Sequence, residues 1–206
     1  MEKTDLSRRE QNRLDAYRGI HRAAFRMTVL ENSVPTVEEI AASAGVSSRT
    51  LFNYFRSKEE AVIGLRQPKL TQVQRELLAQ QSTTRQLDAV VLVLFDVIRN
   101  SIVDRAHFLE RAVRLKSHAD YRLNISRHLG ACETVVLEGL AQSRGISPTS
   151  DDFMAELGER SRALVSIAGS VARFTFATHP EAVTEESSEH VRATLTLFRQ
   201  VMKETL

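Results

Sequence analysis

The sequence predicts an all-α fold of about nine helices. Apolar residues recur at spacings of three and four along most of the chain, which is the period of an amphipathic helix. Only 8 of the 206 residues are glycine and 4 are proline, and no hairpin turn signal joins two strand-like segments. The length allows a three-helix N-terminal domain over residues 1–66, with an arm at 1–17, and a larger helical domain over 67–206.

The composition argues against a membrane or secreted protein and indicates the cytoplasm. No apolar run approaches the roughly 20 residues of a bilayer-spanning helix, and the N-terminus lacks the features of a signal peptide. Cys132 is the single cysteine, so no internal disulfide can form, which fits a reducing compartment. Residues 1–66 hold 11 basic and 9 acidic residues, whereas residues 67–206 hold 17 of each. The net charge of +2 therefore arises in the N-terminal domain, with the sign that favours contact with phosphates.

Two short helices joined by a tight turn are predicted between Thr36 and Phe55. Thr36 is a good N-cap, and Glu39 three residues later completes a capping box. Gly45 stands where a helix ends with positive φ, and the serine pair 47–48 can cap the next helix. The inward faces of the two helices are formed by Val37, Ile40, Ala41, Ala44, Leu51, Tyr54 and Phe55. This spacing favours a helix-turn-helix that reads the major groove of DNA, although any helical hairpin can carry a glycine turn.

The outward residues of the second helix are suited to reading bases. Arg49 can pair with guanine and Asn53 with adenine, while serine and threonine hydroxyls serve bases or phosphates. Lys58, at the start of the following helix, suits a backbone phosphate together with the free N–H groups there. The full set of predicted DNA-binding residues is Thr36, Ser47, Ser48, Arg49, Thr50, Phe52, Asn53, Tyr54 and Lys58.

The order Thr-Val-x-x-Ile-Ala-x-x-Ala-Gly-Val-Ser-x-x-Thr-Leu-Phe-x-Tyr-Phe-x-Ser-Lys-Glu resembles the TetR family of bacterial transcriptional regulators. Extended back to Ile20, the resemblance covers roughly a quarter of the chain. It implies an all-helical homodimer, usually a repressor, that a small molecule releases from its operator. Two positions depart from the family pattern. Asn32 stands where glycine usually ends the first helix, and asparagine tolerates the left-handed conformation. Phe52 stands where tyrosine is common, which puts only a hydroxyl contact in doubt.

Basic residues upstream of the turn leave two interpretations open. Arg18, Arg22 and Arg26 are four residues apart and share one face of the first helix. They form either a solvated face or a set of contacts to the DNA backbone. Residues 1–17 are either an arm that reaches DNA or a frayed extension of that helix.

A ligand pocket is predicted around the most apolar segment, from Leu87 to Ile102. Asp96 and Arg99 interrupt this segment, either as a local ion pair at an exposed edge or as polar groups in a cavity. The pocket suits a hydrophobic or acyl-like effector better than a sugar phosphate. Its predicted lining is Phe95, Asp96, Ile98, Arg99, Phe108, Arg111, Leu115, Leu129, Cys132, Val136 and Phe174. The same residues would also make an ordinary helix-bundle core.

The last two helices, from about Ser150 to Thr178 and from Thr184 onward, are predicted to form the dimer interface. Gly169 destabilises a helix by about 1 kcal/mol relative to alanine, which close approach of another helix would offset. The family resemblance implies that these helices pair with their copies in a four-helix arrangement. The predicted interface residues are Val165, Gly169, Arg173, Val191, Leu195, Phe198 and Met202. Packing within one chain is the alternative.

The sequence offers little support for an enzyme. Cys132 and His128 lie four residues apart on one helix face, which could serve a nucleophile or a metal. No further ligand has supporting spacing, and no phosphate-binding glycine loop or serine elbow is present. We therefore expect a DNA-binding regulator without catalysis, cofactor or metal, most simply a ligand-released repressor. The alternatives are an activator, a redox sensor using Cys132, and a ligand-binding protein with a vestigial helix-turn-helix.

Overall fold

A computed structural model of the chain describes residues 8–80, 86–115, 119–185 and 188–205. These residues form ten α-helices, with no strand beyond one isolated bridge, which confirms the all-α class. The first seven residues of the predicted arm lie outside the described ranges, and the rest of the arm belongs to the first helix. The helices are α1 (Arg8–Phe25), α2 (Val37–Ser43), α3 (Ser48–Tyr54), α4 (Lys58–Ile63), α5 (Gln72–Ala79), α6 (Gln86–Asn100), α7 (Phe108–Leu115), α8 (Ala119–Gln142), α9 (Phe153–Thr178) and α10 (Glu189–Thr205).

The chain divides into two compact units, and the division differs from the predicted boundary. The N-terminal unit comprises residues up to Gln67 together with Ser101–Ile125, and the C-terminal unit comprises Pro68–Asn100 and Ser126–Leu206. The sequence had placed residues 101–125 in the C-terminal domain. They join the N-terminal unit because the segment after α6 pairs with the end of α4. The backbone N–H of residue 66 donates to the carbonyl of residue 101 at 2.8 Å, and that of residue 103 donates to the carbonyl of residue 64 at 2.9 Å.

The first helix ends in a π-helical turn, Arg26–Leu30, followed by a residue with positive φ. Asn32 has φ of 49° and is the only non-glycine residue with positive φ among those described. Asparagine therefore does the work of the glycine that the family pattern has at this point, as the sequence predicted. The Ser33 hydroxyl donates to the Met27 carbonyl at 2.6 Å, which ties the turn to the helix that precedes it.

Aromatic rings hold the N-terminal unit together. The Tyr17 ring of α1 meets the rings of Tyr54 and Phe55 edge to face, with centroids 4.7 and 5.3 Å apart. Ile40 and Leu51 are fully buried beside them. Burying side chains of this size supplies about 1.5–3 kcal/mol each, so these contacts fix α3 against α1.

The core of the C-terminal unit is built on α6. Most of the apolar side chains of this helix are buried in the core. It is the segment that the sequence predicted to be the most enclosed. Its buried residues pack with inward faces of α8, α9 and α10, including Cys132, Val136, Val165 and Val191. Most side chains of this helix are buried, and only a narrow polar edge that includes the half-exposed Asp96 remains, so the helix can carry a strand-like run of β-branched residues.

The ninth helix contains a break that the sequence analysis did not predict. Gly158 has φ of 77° and ψ of 159°, a conformation open essentially to glycine alone. The regular part of α9 therefore follows this residue, whereas the periodicity had suggested one helix from about residue 150. No helix in the described ranges has the length and hydropathy needed to cross a bilayer.

Candidate nucleic-acid interface

The turn between α2 and α3 is fixed by local hydrogen bonds. Thr36 Oγ1 accepts from the Glu39 backbone N–H at 3.2 Å, and the Glu39 carboxylate accepts from the Thr36 N–H at 2.8 Å, so the predicted capping box is confirmed. Gly45 has φ of 70°, and the next N–H donates back to the Ala41 carbonyl at 2.9 Å. Ser47 caps α3 by accepting from the Thr50 N–H at 3.0 Å. These bonds set the angle at which α3 leaves the turn.

Helix α3 presents one face to the unit and another to solvent. Leu51 is fully buried, and the half-buried Tyr54 ring packs on Tyr17. Arg49, Phe52 and Asn53 are exposed on the opposite side. Because this surface is not used for packing, its guanidinium, ring and amide are available for an external partner.

The remaining predicted DNA-binding residues have more local roles. Thr36 and Ser47 are exposed caps, while Ser48 and Thr50 are half-buried. The Thr50 and Ser47 hydroxyls hydrogen-bond to each other at 2.8 Å. The half-buried Lys58 ammonium donates to the Pro35 carbonyl at 3.4 Å, and this long bond leaves it other donors.

A family model described as "Bacterial regulatory proteins, tetR family" matches residues 35–63. The match begins just before the α2 cap and runs through the turn, α3 and α4. The match supports a transcriptional regulator of the TetR family. The matched segment contains the helix-turn-helix described above, and it supports a DNA-binding transcriptional regulator. No curated protein matches the chain.

The predicted effector-pocket residues are divided between the two units of the chain. Phe108, Arg111 and Leu115 belong to the N-terminal unit, because residues 101–125 pack there. The C-terminal unit contains the others: Phe95, Asp96, Ile98, Arg99, Leu129, Cys132, Val136 and Phe174. Within that unit, Arg99 is buried, and its Nη1 lies 4.0 Å from Oδ1 of the half-exposed Asp96.

The structure places Phe174 away from the buried core of the C-terminal unit. Its side chain is 41% exposed, and its ring packs against Phe198 at a centroid distance of 5.8 Å. The ring that meets the buried Phe95 is Phe176, with centroids 4.8 Å apart. Two residues along a helix correspond to a rotation of about 200°, so residues 174 and 176 face opposite ways.

Several predicted dimer residues are enclosed within their own chain. Val165, Val191 and Leu195 are buried in the core of the C-terminal unit, so they cannot be the surface that meets a partner. Phe198 is half-buried, and Met202 is exposed. Val191, Leu195 and Phe198 do share a helical face, as their spacing predicts, but this face packs inside the chain.

Gly169 and Arg173 also have partners in the same chain. Arg173 Nη1 donates to Glu133 Oε1 at 2.6 Å, and a Cβ added at Gly169 would lie 2.1 Å from the same oxygen. The close approach expected at this glycine is therefore made by a side chain of α8. An outward surface remains on the two last helices beyond the break at Gly158, where the large exposed apolar residues are Phe174, Leu197, Val201 and Met202.

A cluster of histidines and a carboxylate was missed in the sequence analysis. His179 Nδ1 and His190 Nε2 lie 3.3 and 3.7 Å from Glu181 Oε1. The two imidazoles are stacked, with centroids 4.3 Å apart and planes 18° from parallel. Ring nitrogens bind a metal in the ring plane at about 2.1 Å, and two stacked planes do not share such a point. As arranged, the cluster is a hydrogen-bonded group, and only rotation of a ring would let it bind an ion.

The candidate nucleophile pair lies inside the C-terminal unit. Cys132 has no exposed surface, and His128 is 5% exposed. A reactive thiol is usually accessible and close to positive charge. The burial of Cys132 favours its reading as a core thiol.

Proposed function

We propose that this regulator is a repressor that binds an inverted-repeat operator as a homodimer and is released by a small hydrophobic or acyl-like effector. Two copies would place their α3 helices in successive major grooves, about 34–36 Å apart. The observation that carries the proposal is the solvent-facing surface of α3, in which Arg49 and Asn53 are exposed while Leu51 is buried.

The dimer that the proposal requires would use the outward apolar surface of α9 and α10. Exposed apolar patches rimmed by polar residues are typical of protein interfaces. This surface takes the place of Val165, Val191 and Leu195, which are buried in the core of the C-terminal unit. It consists of Phe174, Leu197, Val201 and Met202, with Phe198 packed beneath Phe174.

The effector would act from the interior of the C-terminal unit. We assign it to the apolar region near Phe95, Leu129, Cys132 and Val136, with Arg99 as a polar anchor. A ligand releases the repressor only if it binds more tightly to a state whose reading heads are wrongly spaced for the operator. Oxidation of Cys132 is a less favoured trigger because its sulfur is enclosed.

The proposal is tested by selecting bound sequences from a pool of random duplexes with the full chain. We expect an inverted repeat whose half-sites are one helical turn apart, and an affinity that falls steeply with salt. Binding without sequence preference, or to a single half-site by one chain, would contradict it. Transcription from a promoter that carries the selected site would then distinguish repression from activation.

Replacing Arg49 by alanine should weaken operator binding by about 1–3 kcal/mol and relax the preference at one base pair. The reason is that its exposed guanidinium can donate hydrogen bonds to two acceptors of a guanine, whereas alanine can donate to neither. Titration against operators mutated at each position measures both effects. Arg122→Ala, an exposed arginine of α8, is the control. An unchanged base preference in Arg49→Ala would exclude this residue from base reading.

Replacing Lys58 by alanine should weaken all duplexes alike and reduce the salt slope by about one ion per subunit. Lys58 stands at the first position of α4, where its ammonium can reach a phosphate. The binding constant of specific and random duplexes, measured over a range of salt concentrations, gives the slope. A change confined to one base position, or an unaltered slope, would show that this lysine does not neutralise a phosphate.

A further inference from the structure

A cavity of about 610 Å³ lies within the N-terminal unit, between residues of α1 and residues of α7 and the loop before it. This volume is in the range of small-molecule sites, which is about 300–1,000 Å³. Five arginines line it, against two carboxylates from Asp104 and Glu110. The arginines are Arg18, Arg22, Arg26, Arg111 and Arg114.

The positive charge of the lining is only partly neutralised. Arg111 pairs with Asp104 at 3.1 Å, and Arg114 pairs with Glu110 at 3.1 Å, which accounts for both carboxylates. Arg18 forms an ion pair with Asp15 at 3.6 Å, and Arg26 forms one with Glu31 at 3.3 Å. Both acids lie outside the lining, and exposed ion pairs of this kind contribute little to stability in water. Arg22 has no ion-pair partner in the part of the chain that the structure describes. Cations gathered at a recessed surface attract anions more strongly than the same charges on a flat one.

Arg111 forms the buried wall of the cavity. It is 5% exposed, and its two terminal nitrogens bind the Asp104 carboxylate at 3.1 Å and the Asp104 carbonyl at 2.5 Å. Its guanidinium carbon lies 6.0 Å from the Phe25 ring centroid. Its Nε has no hydrogen-bond partner within the described ranges. A buried donor without a partner is unfavourable, so this guanidinium retains capacity for a ligand acceptor.

The cavity also has an apolar side and a neutral wall. Phe25 is half-buried and Leu30 is largely exposed at the rim. His21 donates from Nδ1 to the Ala61 carbonyl at 2.7 Å, and burial lowers its pKa to about 4. The imidazole is thus uncharged at neutral pH, and the positive charge comes from arginines that do not titrate.

We infer that this cavity binds a small organic anion, with a carboxylate or phosphate group against Arg22 and Arg111 and an apolar body against Phe25 and Leu30. The site goes beyond the proposed function, whose effector is assigned to the C-terminal unit. A DNA backbone is a poorer match because Arg111 is buried and an apolar side chain stands at the rim. A compact ligand can enter such a recess, whereas a duplex is confined to its edge.

The test uses benzoate and phenyl phosphate as probes and benzamide as their neutral counterpart. Calorimetric titration of the full chain at low salt should show one site per chain for the two anions. Benzamide should bind at least about tenfold more weakly, because it forms no charge-assisted bond with arginine. Equal affinity for benzoate and benzamide, or no binding by either anion, would overturn the proposal.

Two variants locate the site without disturbing the buried Arg111. Arg22→Gln should weaken anion binding about tenfold, and Leu30→Glu, which adds a negative charge at the exposed rim, should abolish it. Arg122→Gln, on the exposed surface of α8, should change nothing. If Arg22→Gln and Leu30→Glu both bind the probes as the parent does, the cavity is not the site. If Arg22→Gln loses only operator affinity, the arginine serves a DNA phosphate and the proposal fails.

Discussion

Replacing both Leu197 and Val201 by glutamate is expected to make the protein monomeric and to weaken operator binding at least about 100-fold. These side chains are 44% and 52% exposed and lie one helical turn apart on α10. In a two-fold dimer each substitution occurs twice, so four carboxylates would enter an apolar contact. Burying an unpaired charge is unfavourable by several kcal/mol. This cost is larger than the binding free energy that a single apolar contact contributes to an interface of ordinary size.

The oligomeric state is measured by sedimentation equilibrium, and operator affinity by titration of the same samples. Val73→Glu is the matched control, because Val73 is 65% exposed on α5 and lies outside the proposed surface. The control should remain dimeric and bind the operator normally. A double variant that remains dimeric would place the interface elsewhere. A monomer with unchanged operator affinity would refute the two-headed reading of DNA.

The helix-turn-helix could be predicted from the sequence because its determinants are local. The capping box joins Thr36 to a residue three positions away, and Gly45 is required by the φ of one residue. The left-handed Asn32 belongs to the same class. Hydrogen bonds within a few residues leave a direct trace in the order of amino acids, and the family resemblance rests on that order.

Helical periodicity located apolar stripes but could not say which partner each one meets. The stripe containing Val191 and Leu195 was assigned to a dimer, yet it packs inside one chain. Phe174 and Phe176 are both aromatic residues in one helix, and only the position of α6 shows which of them turns inward. Partner choice depends on contacts between segments far apart in the chain, which a local period does not record.

The arginine-lined cavity illustrates the same limit. The arginines of α1 had two readings from sequence, as a solvated face or as phosphate contacts. Their convergence with Arg111 and Arg114 depends on α7 packing in the N-terminal unit. That packing is accompanied by the pairing of Leu65 with Ile102, a long-range backbone contact that no sequence motif predicts.

Lowering the pH from about 6.5 to 4 is expected to destabilise the N-terminal unit by about 3 kcal/mol through His21. Burial is the main cause that lowers the pKa of His21 from 6.5 to about 4, and the hydrogen bond to the Ala61 carbonyl opposes it. Between these two values the unfolded chain binds a proton that the folded unit does not. The full free energy of unfolding is therefore present above about pH 6.5, and it falls as the pH drops through this window. Below about pH 4 both states bind the proton, so His21 causes no further change with pH.

The sequence supplies a selective probe of this transition. The chain has three tyrosines and no tryptophan, and Tyr17, Tyr54 and Tyr121 all lie in the N-terminal unit. Urea unfolding followed by tyrosine fluorescence at pH 7, 5.5 and 4.5 thus reports on that unit alone. His21→Gln should be less stable at pH 7 and should show a much shallower pH dependence. A His21 ring signal that titrates near pH 6.5 in the folded protein would contradict this account.

The Asp104 carboxylate contributes in a different pH range, so it does not obscure the effect. Burial raises the pKa of Asp104, but hydrogen bonds from His107 and Arg111 and the arginine charge outweigh it and leave that pKa below its ordinary value of 3.8. A carboxyl with a lowered pKa stabilises the fold above its unfolded pKa and loses that contribution only below about pH 4. A fall in stability that begins near pH 6.5 is therefore the behaviour expected of the buried neutral imidazole of His21 and not of Asp104. Since α1 carries His21 and packs against α4, the reading head should lose operator binding in the same window.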